Sequence, residues 1–139
     1  MLANELTQRG ITCFARTNLY KLSDPRDWQF RSDFDAANAD IFCRELELLQ
    51  PKYVILLTSG AERHFLARFD KPQDVVPPVN FTYRHKGPRQ TQFTCKRFEN
   101  MTSLFVTALH PQGKPDMIRP IMELIDKAEA TMSKNAKDS

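Results

Sequence analysis

The chain has 139 residues, 41% of them hydrophobic and 27% charged, which is enough apolar surface for one globular core and too little length for two. No apolar run approaches the roughly 18 residues of a membrane span, and residues 1–10 are a polar mixture without a signal-peptide core, so a cytoplasmic protein with no membrane partner is expected. A formal charge of +3 fits scattered surface lysine and arginine as well as a nucleic-acid partner, so the distribution of charge has to decide between them.

Residues 2–9 are predicted as a short helix closed by Gly10, followed by a strand over residues 11–17 and a polar loop running to about residue 34. From Asp35 onward, Ile41, Phe42, Leu46 and Leu49 fall on one face of a second helix, which Pro51 must stop. The continuous apolar run from Tyr53 to Leu57 has the pattern of a strand buried on both faces of a parallel sheet. Ser59 and Glu62 have the spacing of a capping box, which puts the start of a third helix near Gly60. The same capping role accounts for Ser59 without a nucleophile elbow.

Lys71-Pro72 and Pro77-Pro78 then break the chain, and alternation takes over. Val79, Phe81 and Tyr83 share one strand face, Phe93 and Cys95 share a face of the next strand, and the turn at residues 85–90 makes the pair a hairpin. Residues 104–109 form another apolar strand, ending at His110-Pro111. Ile118, Ile121, Met122, Ile125 and Ala128 keep helical spacing, with Pro115 and Pro120 tolerated only near the first turn. The expected fold is α/β: a three-layer domain with a short parallel sheet, helices on both faces and an inserted β-hairpin, spanning residues 1–132 with a frayed polar tail over 133–139. A parallel βαβ unit needs a strand before its crossover helix, and this chain opens inside that helix, so the first strand is expected to be missing.

Three stretches carry a likeness to known proteins. They are Phe14-Ala15-Arg16-Thr17-Asn18-Leu19-Tyr20-Lys21, the passage from Glu45 through Pro51-Lys52 to Leu57, and Val106-Thr107-Ala108-Leu109-His110-Pro111. In this order they resemble the uracil-DNA glycosylase superfamily, especially its compact bacterial-type members, over about residues 4 to 128. The resemblance implies a DNA-binding protein that flips out a base and hydrolyses its N-glycosidic bond in base-excision repair, with Asn18 reading the base and His110 in the histidine-proline motif that closes the active site. The family's first motif, a loop handling the water or the sugar cation, has no counterpart here. The four cysteine ligands of its iron-sulfur members are not matched by Cys13, Cys43 and Cys95, which have no CxxC or Cys/His pairing. Free thiols, no metal and no cofactor are therefore expected.

The chemistry of the residues stands beside that likeness. A carboxamide at Asn18 has the donors and acceptor to meet a pyrimidine edge, and it equally well ends a strand by satisfying loop backbone. His110, just past a buried strand, stands at the carboxyl edge where open α/β sheets bind ligands. There it is either a donor to a leaving base or a loop histidine bonded to backbone. Arg84, Lys86 and Arg89 at the hairpin tip, with Lys114 beside Gly113, are candidate phosphate contacts or solvated turn charges. His64 and His85 read as surface residues. Phe14, Tyr20 and Phe30 read as core aromatics before base-stacking ones. The rival functions are a non-catalytic nucleic-acid or protein interaction module of the same fold and a small-molecule-binding α/β domain. A missing strand also implies self-association through an unpaired sheet edge.

Overall fold

The computed structural model describes residues 2–8, 32–58, 62–109 and 115–137. A short helix, α1 (Leu2–Gln8), is followed by α2 (Ser32–Leu49) and strand β1 (Tyr53–Leu57). Helix α2 ends as Pro51 requires: Gln50 takes the left-handed conformation, φ 43°, and its N–H reaches the Leu46 carbonyl at 2.9 Å. Helix α3 is only Arg63–Leu66, shorter than the sequence pattern suggests. Glu62 is its N-cap residue, without a side-chain cap bond, and the Glu62 carboxylate accepts from the Thr58 hydroxyl. Ser59, the other half of the expected capping box, lies outside the described residues.

The second half of the chain supplies β2 (Gln73–Asp74), β3 (Val79–Arg84), β4 (Pro88–Arg97) and β5 (Leu104–Ala108). A 3-10 turn (Pro115–Met117) then leads into α4 (Ile118–Lys137). Pro120 sits in the first turn of α4, where its missing N–H costs nothing. The backbone stays helical through Lys137, past the Ser133 at which a tail is expected.

The sheet is mixed. Among the described residues only β1 and β5 pair in parallel, from Tyr53↔Leu104 to Leu57↔Ala108. The foot of that pair is fixed by the Leu104 N–H on the Lys52 carbonyl at 2.9 Å and by the buried Ser103 hydroxyl on the Pro51 carbonyl at 2.5 Å. β4 lies antiparallel on the other side of β5, so the hairpin is part of the sheet and not an insertion beside it. β2 and β3 both run antiparallel to β4. Between Asp74↔Lys96 and Val79↔Phe93 the outer chain takes five steps against three in β4, a bulge that accommodates Pro77-Pro78. Among the described residues no strand pairs with the outer edge of β1.

Strand alternation sends side chains to two separate cores. On one face Leu104, Val106, Cys95, Phe93 and Phe81 pack with Ile121, Leu124, Ile125 and Ala128 of α4, and Leu6 of α1 joins them. On the other face Leu56 and Phe105 meet Ala39 and Phe42 of α2, Phe65 of α3 and Phe98. This second core is aromatic: Phe98 stands edge-on to Phe105 at 5.3 Å, and Phe42 edge-on to Phe65 at 5.6 Å. Leu49, expected on the buried face of α2, is 59% exposed, because the contacts of α2 with this core run through Ala39, Phe42 and Leu46 and stop before the last turn. Tyr53 ties β1 to α4, its hydroxyl donating to Glu129 at 2.8 Å while Lys52 reaches the same carboxylate at 2.6 Å. No helix is long and apolar enough to cross a membrane among the described residues.

Candidate nucleic-acid interface

The register of β4 decides where the hairpin points. Its carboxyl half pairs with β5 through Thr94↔Thr107, Cys95↔Val106 and Lys96↔Phe105, and its amino half pairs only with β3. Because β4 is antiparallel to β5, that amino half continues past the carboxyl end of β5. From Thr94 to Pro88 the arm extends about 20 Å at the usual rise per strand residue. The carboxyl ends of β1 and β5 lie side by side at Leu57↔Ala108, so the arm overhangs the edge from which the chain leaves both parallel strands.

The arm is paired along its whole length and packed at its root. Its inner face carries Val79, Phe81, Tyr83 and Phe93, with Phe81 and Phe93 stacked at 4.8 Å and both buried in the α4 core. Its tip is a three-residue turn, His85-Lys86-Gly87, between the paired Arg84 and Pro88. Lys86 and Gly87 take positive φ values of 54° and 117°, and the second is a conformation that side-chain-bearing residues rarely adopt. The turn is closed by the His85 N–H on the Gly87 carbonyl at 3.0 Å, and Arg89 Nε spans it to the His85 carbonyl at 3.3 Å. An open concavity of about 510 Å³ lies against this tip, lined by Thr82, Tyr83, Arg84, Pro88, Arg89 and Gln90.

Charge is partitioned sharply along the chain. Residues 75–98 contain Arg84, Lys86, Arg89, Lys96 and Arg97 and not one aspartate or glutamate, whereas the rest of the chain holds 15 basic and 17 acidic residues. The net positive charge of the protein thus resides in the β3–β4 arm and its root. Ion pairs elsewhere are plentiful, as between Lys71 and Glu99 or Lys127 and Glu123, yet none of the arm cations meets a carboxylate among the described residues. No protein-family model, curated protein or solved structure matches this chain. The case for an interface therefore rests on the geometry and charge of the arm.

Of the residues singled out from sequence, Arg84, Lys86 and Arg89 come together, exposed, at the tip. Asn18, His110 and Lys114 lie outside the described residues, as do Cys13 and the strand expected over residues 11–17. Leu109, the residue before His110, is buried at the end of β5. Cys43 is half-buried and Cys95 wholly buried, both free, and burial pushes the Cys95 thiol up to about 11 with the Asp74 charge adding to the effect. Sequence reading missed the arm's outer face. Cross-strand partners share a face, so Asn80 with Gln92 and Thr82 with Gln90 form two polar rows leading to Arg84. The alternation that marks Phe81 and Tyr83 as inward marks these residues as outward, and that signal was available in the sequence.

Proposed function

We propose that this protein binds DNA and that it belongs, in fold and chemistry, with three-layer uracil-DNA glycosylase-like proteins: it flips out a base at the carboxyl edge of β1 and β5 and hydrolyses the N-glycosidic bond there. The observation that carries the DNA-binding part is the acid-free cationic arm overhanging that edge. Phosphate contacts from Arg84, Lys86 and Arg89 would hold a duplex against the edge, and neutralised phosphates release counterions, making the affinity salt-dependent. The excision part is supported by the sequence likeness alone, with Asn18 as base reader and His110 as the donor that stabilises the leaving base.

The test is titration of the intact chain with a uracil-containing duplex over a range of salt concentrations. Each phosphate contact contributes roughly 0.9 to the slope of log affinity against log salt, so the triple substitution Arg84→Ala, Lys86→Ala, Arg89→Ala should lower the slope by up to about 3. An unchanged slope would remove the arm from the interface. Uracil release from the same duplex, abolished by Asn18→Ala or His110→Ala, tests excision. Tight binding without release would leave the same fold acting as a non-catalytic nucleic-acid module.

A further inference from the structure

The outer face of the β3–β4 arm has a composition that phosphate binding does not require. Asn80, Thr82, Gln90 and Gln92 are all exposed, lie in two cross-strand rows, and continue into Arg84 at the tip. Only one weak bond joins them, Gln92 Nε2 to Asn80 Oδ1 at 3.4 Å. The hydrogen-bonding groups of this face are thus left largely for water or a ligand. The face carries no apolar side chain except Pro88 and no carboxylate, which disfavours a protein partner that buries hydrophobic surface or presents a basic patch.

Orientation decides among nucleic acids. Non-specific single-strand binding uses exposed aromatic platforms, but Phe81 and Phe93 of the arm are buried, and Tyr83 is half-buried, stacked on Phe81 at 6.2 Å and packed against the same core. Double-stranded RNA hides its base edges in a deep, narrow major groove that side chains do not enter. The DNA major groove, about 12 Å wide, admits a two-stranded ribbon whose strands are about 4.8 Å apart. From Asn80 to Arg84 the face is about 13 Å long, close to four base-pair steps. Carboxamides are the side chains that meet adenine bidentately through N6 and N7, and arginine meets guanine through O6 and N7.

We infer that the outer face of this arm reads base edges in the DNA major groove, with Asn80, Gln90 and Gln92 directed at adenine, so that the protein prefers a sequence context around the base it engages. This rests on the DNA-binding reading above. It assigns the arm a role in specificity in addition to affinity.

The experiment is selection by the intact chain from duplexes with a randomised central segment, followed by affinity measurement on the enriched duplex and on an unselected one. The expected result is enrichment of adenine-containing sites. Replacing the enriched adenines by 7-deazaadenine, which deletes the N7 acceptor and leaves the minor groove untouched, should weaken binding about 5- to 150-fold, while binding to the unselected duplex stays the same. The triple substitution Asn80→Ala, Gln90→Ala, Gln92→Ala should erase the preference without changing the salt slope. Because the 7-deazaadenine measurement uses the unaltered protein, a misfolded variant cannot imitate this result. Salt-dependent duplex binding without enrichment, or enrichment insensitive to 7-deazaadenine, overturns the inference and leaves the DNA-binding reading standing. Failure to bind any duplex overturns both.

Discussion

Phe105→Leu is expected to destabilise the aromatic core while sparing the α4 core, because the sheet separates the two. Phe105 has no exposed surface and makes ring contacts with Phe98 at 5.3 Å and Phe69 at 5.5 Å. Leucine keeps most of the buried apolar area, so the loss is chiefly the two ring pairs, each contributing about 0.5 to 1.5 kcal/mol beyond burial. The cost is therefore about 1 to 3 kcal/mol, which a domain with 5 to 15 kcal/mol of stability survives. Urea unfolding of the two single variants and the double variant with Phe98→Leu should give a coupling of about 0.5 to 1.5 kcal/mol for the shared pair, with little change in slope. Pairing Phe105→Leu instead with Ile121→Val, on α4 and in the opposite core, should be additive within about 0.5 kcal/mol. Equal coupling in the two cycles, or a Phe105→Leu cost below about 0.5 kcal/mol, would show that the two faces do not form separate cores.

Cys95, buried and with its thiol raised to about 11, should be alkylated at pH 8 at least about a hundredfold more slowly in the native than in the urea-denatured chain, as read by peptide mass mapping. A folded-state value above the unfolded one also means that its contribution is fully present below about pH 9 and is lost as pH rises toward 11, so a Cys95→Ala variant should lose less melting temperature than wild type over that range. Hydrogen bonds from Lys52 and then Tyr53 hold the Glu129 carboxylate below its usual range, so their stabilisation is present above about pH 4.3 and fades as pH falls through the depressed value. Glu129→Gln should therefore lower the melting temperature at pH 7, and the difference from wild type should shrink as pH falls through the depressed value. Gly87→Ala meets no neighbour but must hold φ 117°, so it should cost about 1 to 3 kcal/mol by thermal unfolding, and a cost below about 0.3 kcal/mol would contradict the turn geometry.

Much of this architecture can be read from local pattern. The unbroken apolar run Tyr53–Leu57, the alternation Val79-Phe81-Tyr83 and the helical spacing from Ile118 to Ala128 each name an element type, because burial on one face or two leaves a period in the sequence. The pairing of those elements leaves no such period. A parallel sheet was expected from the order of helices and strands, yet β4 is neighbour to both β3 and β5. Its ten residues are long enough for one half to complete the hairpin and the other to join the sheet. The shortness of α3, Arg63–Leu66, was not legible, because a start signal such as the spacing of Ser59 and Glu62 says nothing of where a helix ends. At the candidate interface, the tip cations were visible as a run. Their position over the carboxyl edge of β5 depends on the register Thr94↔Thr107, a long-range fact that composition cannot carry.

The sharing of β4 between hairpin and sheet also orders the assembly of the molecule in time. Pairs between β3 and β4 close loops of only 3 to 13 residues, from Arg84↔Pro88 to Val79↔Phe93, and hairpins of this kind form in about 1 to 10 μs. β5 joins next, across the short link from Arg97 to Leu104. The parallel pairing of Tyr53 with Leu104 closes a loop of about fifty residues and has to wait for the others. On loop closure alone the arm is expected to be the nucleus of the sheet as well as its projection. Substitutions that loosen Phe81 or Phe93 should slow folding, whereas those at Val54 or Ile55 should mainly hasten unfolding.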